Sequence, residues 1–226
     1  LESAEGQAVL GRILNAYTRR NPDVGYCQSM NFIVAVLLLF MDETKAFWML
    51  ACIVEDILPK DFYSPNMLGV HADLRVFDSL LHRDLRSVAA HLDAMDVKPG
   101  SFATKWLLTL YVTALPFETL LRVWDVFFVD GSKTLFRVGL AILKLGERQL
   151  RAVRDPLEAQ EVVLSLPSRC YDCDQLLKVA FGIRKMSVHV KDLRDNYQEE
   201  VAIEFATPRE LPSSPYSFVI SPSPSP

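Results

Sequence analysis

The chain has 226 residues, half of them hydrophobic, which is enough for one large domain or two small ones with a sizeable core. Its formal net charge of −4 lacks the basic surface that a nucleic-acid footprint requires. The longest unbroken apolar run, Phe32 to Met41, is about half of the roughly 20 residues a membrane span needs, and two buried helices suit it and the stretch from Ala46 to Val54 better than one span.

From Gly6 to Arg20, Val9, Leu10, Ile13, Leu14 and Tyr17 recur at helical spacing. Asn21-Pro22 ends that helix, because the residue before proline avoids helical backbone. A second helix is predicted from Tyr26 to Met41; it is apolar nearly all round after Asn31, which places it centrally. Asp42 suits the N-cap of a third helix, which Leu58-Pro59-Lys60 breaks. Residues 61–69 read as a loop, with Ser64-Pro65-Asn66 as turn chemistry.

Helices are then predicted over 70–81 and 85–95. A further one has Ser101 as its N-cap and carries Phe102, Trp106 and Tyr111. Another has Pro116 in its first turn. One long helix is expected over 133–152, with Leu135, Val138, Ile142, Leu145 and Leu150 inward. Short helices over 156–165 and 172–181 follow, then a more polar one over 188–205. Residues 206–226 are Pro/Ser-rich and read as a disordered tail. No strand pairing is evident, so the class is all-α, a multi-helix fold with short connections and no sheet.

Most catalytic signatures are missing. There is no phosphate-cradling Gly-rich loop, no zinc-helix motif and no Ser/His/Asp set. Cys170 and Cys173 form one C-x-x-C with no second ligand pair, short of the roughly four ligands of a zinc site; the expectation for metals is none. The cysteine usage fits a reducing compartment. Trp48, Trp106, Trp124, Phe127 and Phe128 read as core. Asp73, Asp78, Asp84, Asp93 and Asp96 have spacings that suit solvated helix faces.

Two patterns remain. In Asn21-Pro22-Asp23-Val24-Gly25-Tyr26-Cys27-Gln28-Ser29-Met30-Asn31, a turn delivers a polar cluster to the mouth of an apolar helix. Gln28 and Asn31 there either cap the helix or serve a site. The second pattern is Arg122-x-Trp124-Asp125 followed by Gly131-Ser132-Lys133, with Arg122 and Asp125 placed to pair or to hold neighbours.

With these two, the segments Glu5-Gly6-Gln7, Ala46-Phe47-Trp48, Leu58-Pro59, Tyr63-Ser64-Pro65 and Phe102-Ala103-x-x-Trp106 make the sequence resemble the TBC domain of Rab GTPase-activating proteins, over Glu5 to Val153. The resemblance implies one TBC-type domain over 1–205 and an activator of a GTP-bound Rab, not itself a hydrolase. It implies a cytoplasmic place, peripheral on endomembranes through the Rab, in vesicle traffic. No cofactor is implied beyond the GTP and Mg²⁺ of the partner.

Gln28 matches the glutamine of the family's Tyr-x-Gln motif, which reaches the partner's nucleotide, with Tyr26 and Gly25 placed to contact the partner. The family pairs this glutamine with an arginine in an Ile-x-x-Asp-x-x-Arg motif upstream. None of the 24 residues before Gly25 spells that motif, so the domain is expected to be N-terminally incomplete. The alternative is a catalytically silent Rab-binding or scaffold module on the same fold.

Overall fold

The structure is a computed structural model describing residues 3–183 and 186–206, with side chains undescribed over 184–189. Among the described residues there are twelve α-helices and no strand. They are α1 (Ala4–Arg20), α2 (Met30–Leu37), α3 (Glu43–Cys52), α4 (Leu68–Asp84), α5 (Arg86–Ala94) and α6 (Ala103–Leu108). Then come α7 (Phe117–Asp130), α8 (Lys133–Leu145), α9 (Glu147–Ala152), α10 (Pro156–Ser165), α11 (Cys173–Gly182) and α12 (Met186–Ala206). A wide π-type turn, Ile53–Ile57, continues α3, and short 3₁₀ turns occupy Pro99–Ser101 and Pro167–Arg169. The all-α class therefore holds. The reading of 206–226 as a disordered tail lies, beyond Ala206, outside the described residues.

The core is built around α8, which touches α4, α6, α7, α11 and α12. Its residues from Thr134 to Leu143 are buried except Arg137, as expected of a helix apolar on nearly every side. Gly139 lets two rings approach: a Cβ there would meet Phe77 at 2.5 Å and the Tyr111 hydroxyl at 2.7 Å. Helices α1, α2 and α3 pack on one another as an N-terminal layer.

Several local expectations need correction. Helix α2 spans Met30–Leu37 rather than 26–41. Residues 26–29 stay outside it because Gly25 turns the chain at φ +64°, and the tight bonds Leu39 N–H to Val36 O and Phe40 N–H to Leu37 O end it early. Nor is the stretch 26–41 buried all round: Phe32, Leu39 and Phe40 are exposed.

The expected long helix over 133–152 is two. They part at Gly146, which sits hard against the Leu166 side chain, and Leu145 faces solvent. Ser101 lies inside a 3₁₀ turn and caps nothing; its hydroxyl donates to Lys98 O and pairs with Gln160. Pro116 is the N-cap of α7, one residue earlier than a first-turn place. Asp42 does cap α3, accepting from Lys45 N–H at 3.0 Å.

Trp48 and Phe128 are exposed, whereas Trp106, Trp124 and Phe127 are buried. Asp73 is fully buried on α4, gripped by Arg194 of α12. Among the described residues no helix is long and apolar enough to cross a membrane.

Candidate functional site

The loop between α1 and α2 is held by its own polar groups. Asn21 accepts Val24 N–H through its side chain (3.3 Å) and Gly25 N–H through its carbonyl (3.0 Å). Its amide nitrogen donates to the Tyr17 hydroxyl at 3.2 Å. Tyr17 is itself buried, which pushes its phenol up to about 12, so it stays a neutral post for the loop. At Gly25 the backbone takes a left-handed turn that a side chain would strain. Met30 N–H then closes onto Cys27 O at 2.9 Å and starts α2.

This folding separates the residues of the motif. Gln28 is exposed, and its side chain has no hydrogen-bond partner among the described residues. Tyr26 is exposed and Gly25 half-buried. The N-cap of α2 is Ser29, with no side-chain capping bond, so neither Gln28 nor Asn31 caps this helix. Asn31 lies in the first turn, its buried Oδ1 without a partner among the described residues. The capping alternative for these two residues is therefore set aside.

Gln28 stands in the wall of a groove of about 790 Å³. Three stretches far apart in sequence form it: the loop 22–29 with Phe32, the loop 63–67, and one side of the segment 101–109. Tyr63 ties the walls together. It is buried, its hydroxyl donates to Leu108 O at 2.7 Å, and burial holds its phenol far above the usual range. Met67 sits in left-handed backbone (φ 49°). The adjoining Gly69 lies so close to Phe62 that a Cβ would come within 2.7 Å of its backbone. The hydroxyls of Thr104 and Thr109 are spent on the carbonyls of Gly100 and Lys105. The groove is thus a stiff, largely apolar cleft with one free amide at its lip.

The sequence reading placed Tyr26 and Gln28 here but missed the opposite walls. Tyr63-Ser64-Pro65 and the helix of Phe102 and Trp106 stood out as motif segments, yet nothing local says that they face Gln28. Lys105, among the described residues the only charged one lining the groove, occupies one of the two unassigned positions between Ala103 and Trp106.

Arg12, Arg20, Arg122 and Cys170 do not line this groove. Arg12 is held in a two-pronged pair with Glu43 at 2.7–2.8 Å. Arg20 pairs likewise with Glu55 and lies over Trp48. Arg122 reaches Asp174 on α11 at 3.8 Å. Burial pushes the Cys170 thiol up to about 11, and a thiol that keeps its proton is a poor ligand or nucleophile. Among the described residues no three His, Cys, Asp or Glu side chains gather as a metal site would need.

Comparison with known proteins decides the kinship. The model of the Rab-GTPase-TBC domain matches residues 1–151. The chain belongs to the Rab-GTPase-TBC domain family. TBC1 domain family member 2B of Mus musculus is 32% identical over 223 residues, which are 94% of this chain and 23% of that protein. The Chlamydomonas flagellar RabGAP TBC domain superposes with a TM-score of 0.73 at 38% identity, over 80% of this chain and 61% of that one. The TBC domain of Skywalker/TBC1D24 from Drosophila melanogaster shares the fold with a TM-score of 0.72 at 23% identity, over 86% of this chain and 66% of that one. The chain spans under a quarter of the length of the curated relatives it matches. In this TBC domain the family match ends within α9, so α10 to α12 lie beyond it.

Proposed function

We propose that this TBC domain is the activating module of a GTPase-activating protein for a Rab-family small GTPase, with Gln28 orienting the attacking water. The observation that carries this is the exposed, unengaged amide of Gln28 on a loop tied down at Asn21 and Gly25.

Hydrolysis of GTP to GDP and phosphate needs a water held in line with the γ-phosphorus, and charge stabilised on the transferring group. The Gln28 carboxamide supplies both kinds of contact. Its oxygen accepts from the water, and its NH₂ donates to a γ-phosphate oxygen. GTP and Mg²⁺ belong to the partner, whose nucleotide site meets the lip of the groove. Tyr26 and Gly25 border the contact, the glycine permitting close approach of the backbone. The domain then works at membranes only through the Rab, in vesicle traffic and from the cytoplasmic side.

The same chemistry calls for a cation. Arg12 and Arg20 are engaged in ion pairs, and no Ile-x-x-Asp-x-x-Arg occurs in the 226 residues. The proposal therefore takes the arginine from polypeptide outside these residues. An arginine of this kind is worth about 10³ to 10⁵ in rate. The second reading, a silent Rab-binding module, is favoured by that one feature.

Single-turnover hydrolysis across a panel of Rab GTPases separates the two. Under the activator reading, a longer polypeptide carrying an upstream Ile-x-x-Asp-x-x-Arg accelerates hydrolysis on at least one Rab. The 226 residues alone stay near the basal rate while binding the same GTPase. A longer polypeptide that binds a Rab and leaves its hydrolysis at the basal rate establishes the silent module.

A further inference from the structure

We infer that the groove beside Gln28 reads the partner: it seats an apolar side chain of the docked GTPase, while Lys105 pairs with a carboxylate next to that side chain. This rests on the role given to Gln28 above. Because Gln28 is part of the groove wall, any protein whose nucleotide site it reaches must lie across the groove.

The walls state what chemistry they accept. Tyr26, Phe32, Met67 and Leu108 present apolar surface, with Tyr26 at 53% and Phe32 at 40% exposure. Apolar area left in water beside a functional loop gains free energy when a partner covers it. The hydroxyls of Tyr63, Thr104 and Thr109 are already bonded to main-chain carbonyls, so the partner leaves few polar groups unpaired by covering them. The volume of about 790 Å³ has room for more than one side chain.

Lys105 is exposed and makes no ion pair among the described residues. Lys45, Lys98, Lys133 and Lys144 each lie within 4.0 Å of a carboxylate, whereas Lys105, like Lys60, Lys178 and Lys191, does not among the described residues, and of these four Lys105 alone lines the groove. Once a partner covers the apolar wall and excludes water, the ammonium attracts a carboxylate more strongly than it would in open water, because the surroundings then screen it less. Its position is also stiff. Phe102, Ala103 and Trp106 on the same segment are buried, so α6 is anchored from behind while Lys105 points out. The groove therefore selects GTPases that place an acidic side chain beside an apolar one, and rejects those with a basic side chain there.

The test uses the 226-residue chain and Rab GTPases loaded with a non-hydrolysable GTP analogue, with the dissociation constant measured at low and high salt. Lys105→Met should weaken binding about fivefold at low salt and flatten the salt dependence. Lys105→Glu should weaken it at least about tenfold. Reversing the opposing carboxylate on the GTPase to lysine should restore binding to Lys105→Glu. Phe32→Ala, which leaves the charge in place, should weaken binding at both salt concentrations. Thermal melts of each variant report whether the fold is intact. A folded Lys105→Glu that binds as tightly as the parent overturns the inference while leaving the role of Gln28 standing. A parent chain that binds no Rab of the panel removes the GTPase reading itself, and this inference with it.

Discussion

Gln28 concentrates the proposed chemistry in one carboxamide, so its removal should cost rate and not stability. In a longer polypeptide that carries the arginine, Gln28→Ala should lower stimulated hydrolysis by about 10² or more, the scale set by deleting one positioned polar group at a reacting centre. Its melting temperature should stay within the error of the parent, because the side chain is exposed and has no hydrogen-bond partner among the described residues. Undiminished hydrolysis in this variant would refute the assignment. Gly25→Ala tests the loop instead. The nearest atom to an added Cβ is Pro22 O at 3.9 Å, so space is available and the cost lies in the backbone at φ +64°. That cost is about 1–2 kcal/mol. Urea unfolding should register it, and hydrolysis should fall further than stability because Gln28 shifts with the turn.

At the scale of elements, the pairing of α4 with α5 carries a pH signature. Both ring nitrogens of His82 face acceptors, Nδ1 at 2.9 Å from Asp78 O and Nε2 at 2.8 Å from an Asp93 carboxylate oxygen. A neutral ring donates from only one nitrogen, so the carbonyl of Asp78 and then Asp93 hold the His82 pKa above 6.5. The stabilisation is fully present below the unfolded value and is lost as pH rises through the folded one. The melting-temperature difference between parent and His82→Gln should be largest below pH 6.5 and should shrink as pH rises beyond it. A difference that stays constant through that rise would refute the protonated pair.

The boundaries of elements show what local pattern reaches. The periodicity of α1, the Asp42 cap of α3 and the breaks at Pro59 and Pro167 are written in adjacent residues. The early end of α2 and the break at Gly146 are not. The second depends on Leu166, which packs against Gly146 from twenty residues away in the chain.

Across the whole molecule, a buried ion pair helps to fasten α12 to the core, beside the Ser79–Tyr197 hydrogen bond and the Arg75 pairs with Glu200 and Glu204. Arg194 Nε and Nη2 donate to the two Asp73 carboxylate oxygens at 2.6 and 2.9 Å. Its Nη1 donates to Ser132 Oγ at 2.8 Å, and the guanidinium lies over Phe136. Burial pushes the Asp73 carboxyl up against the pull of Arg194. Arg194→Met should therefore destabilise by about 3–5 kcal/mol in denaturant unfolding, because it strands Asp73 in the core. Asp73→Leu combined with Arg194→Met should recover most of that loss, since an apolar pair restores a neutral interior. A double variant as unstable as the single one would refute this account.

The sequence by itself determined the all-α class, most of the helices and the exposed turn that ends in Gln28, because helical period, proline breaks and a glycine turn act over a few neighbouring residues. It also held the motif segments that mark the Rab-GTPase-TBC family. Only the tertiary structure decided what stands opposite Gln28 and what lies inside. Asp73 has the spacing of a solvated carboxylate until Arg194, 121 residues on, is packed against it. Trp48 has the composition of core, yet α3 turns it outward under Arg20. Lys105 faces the groove only because Phe102 and Trp106 fill the interior behind it. Burial and proximity are properties of the packed chain, and no short window of residues carries them.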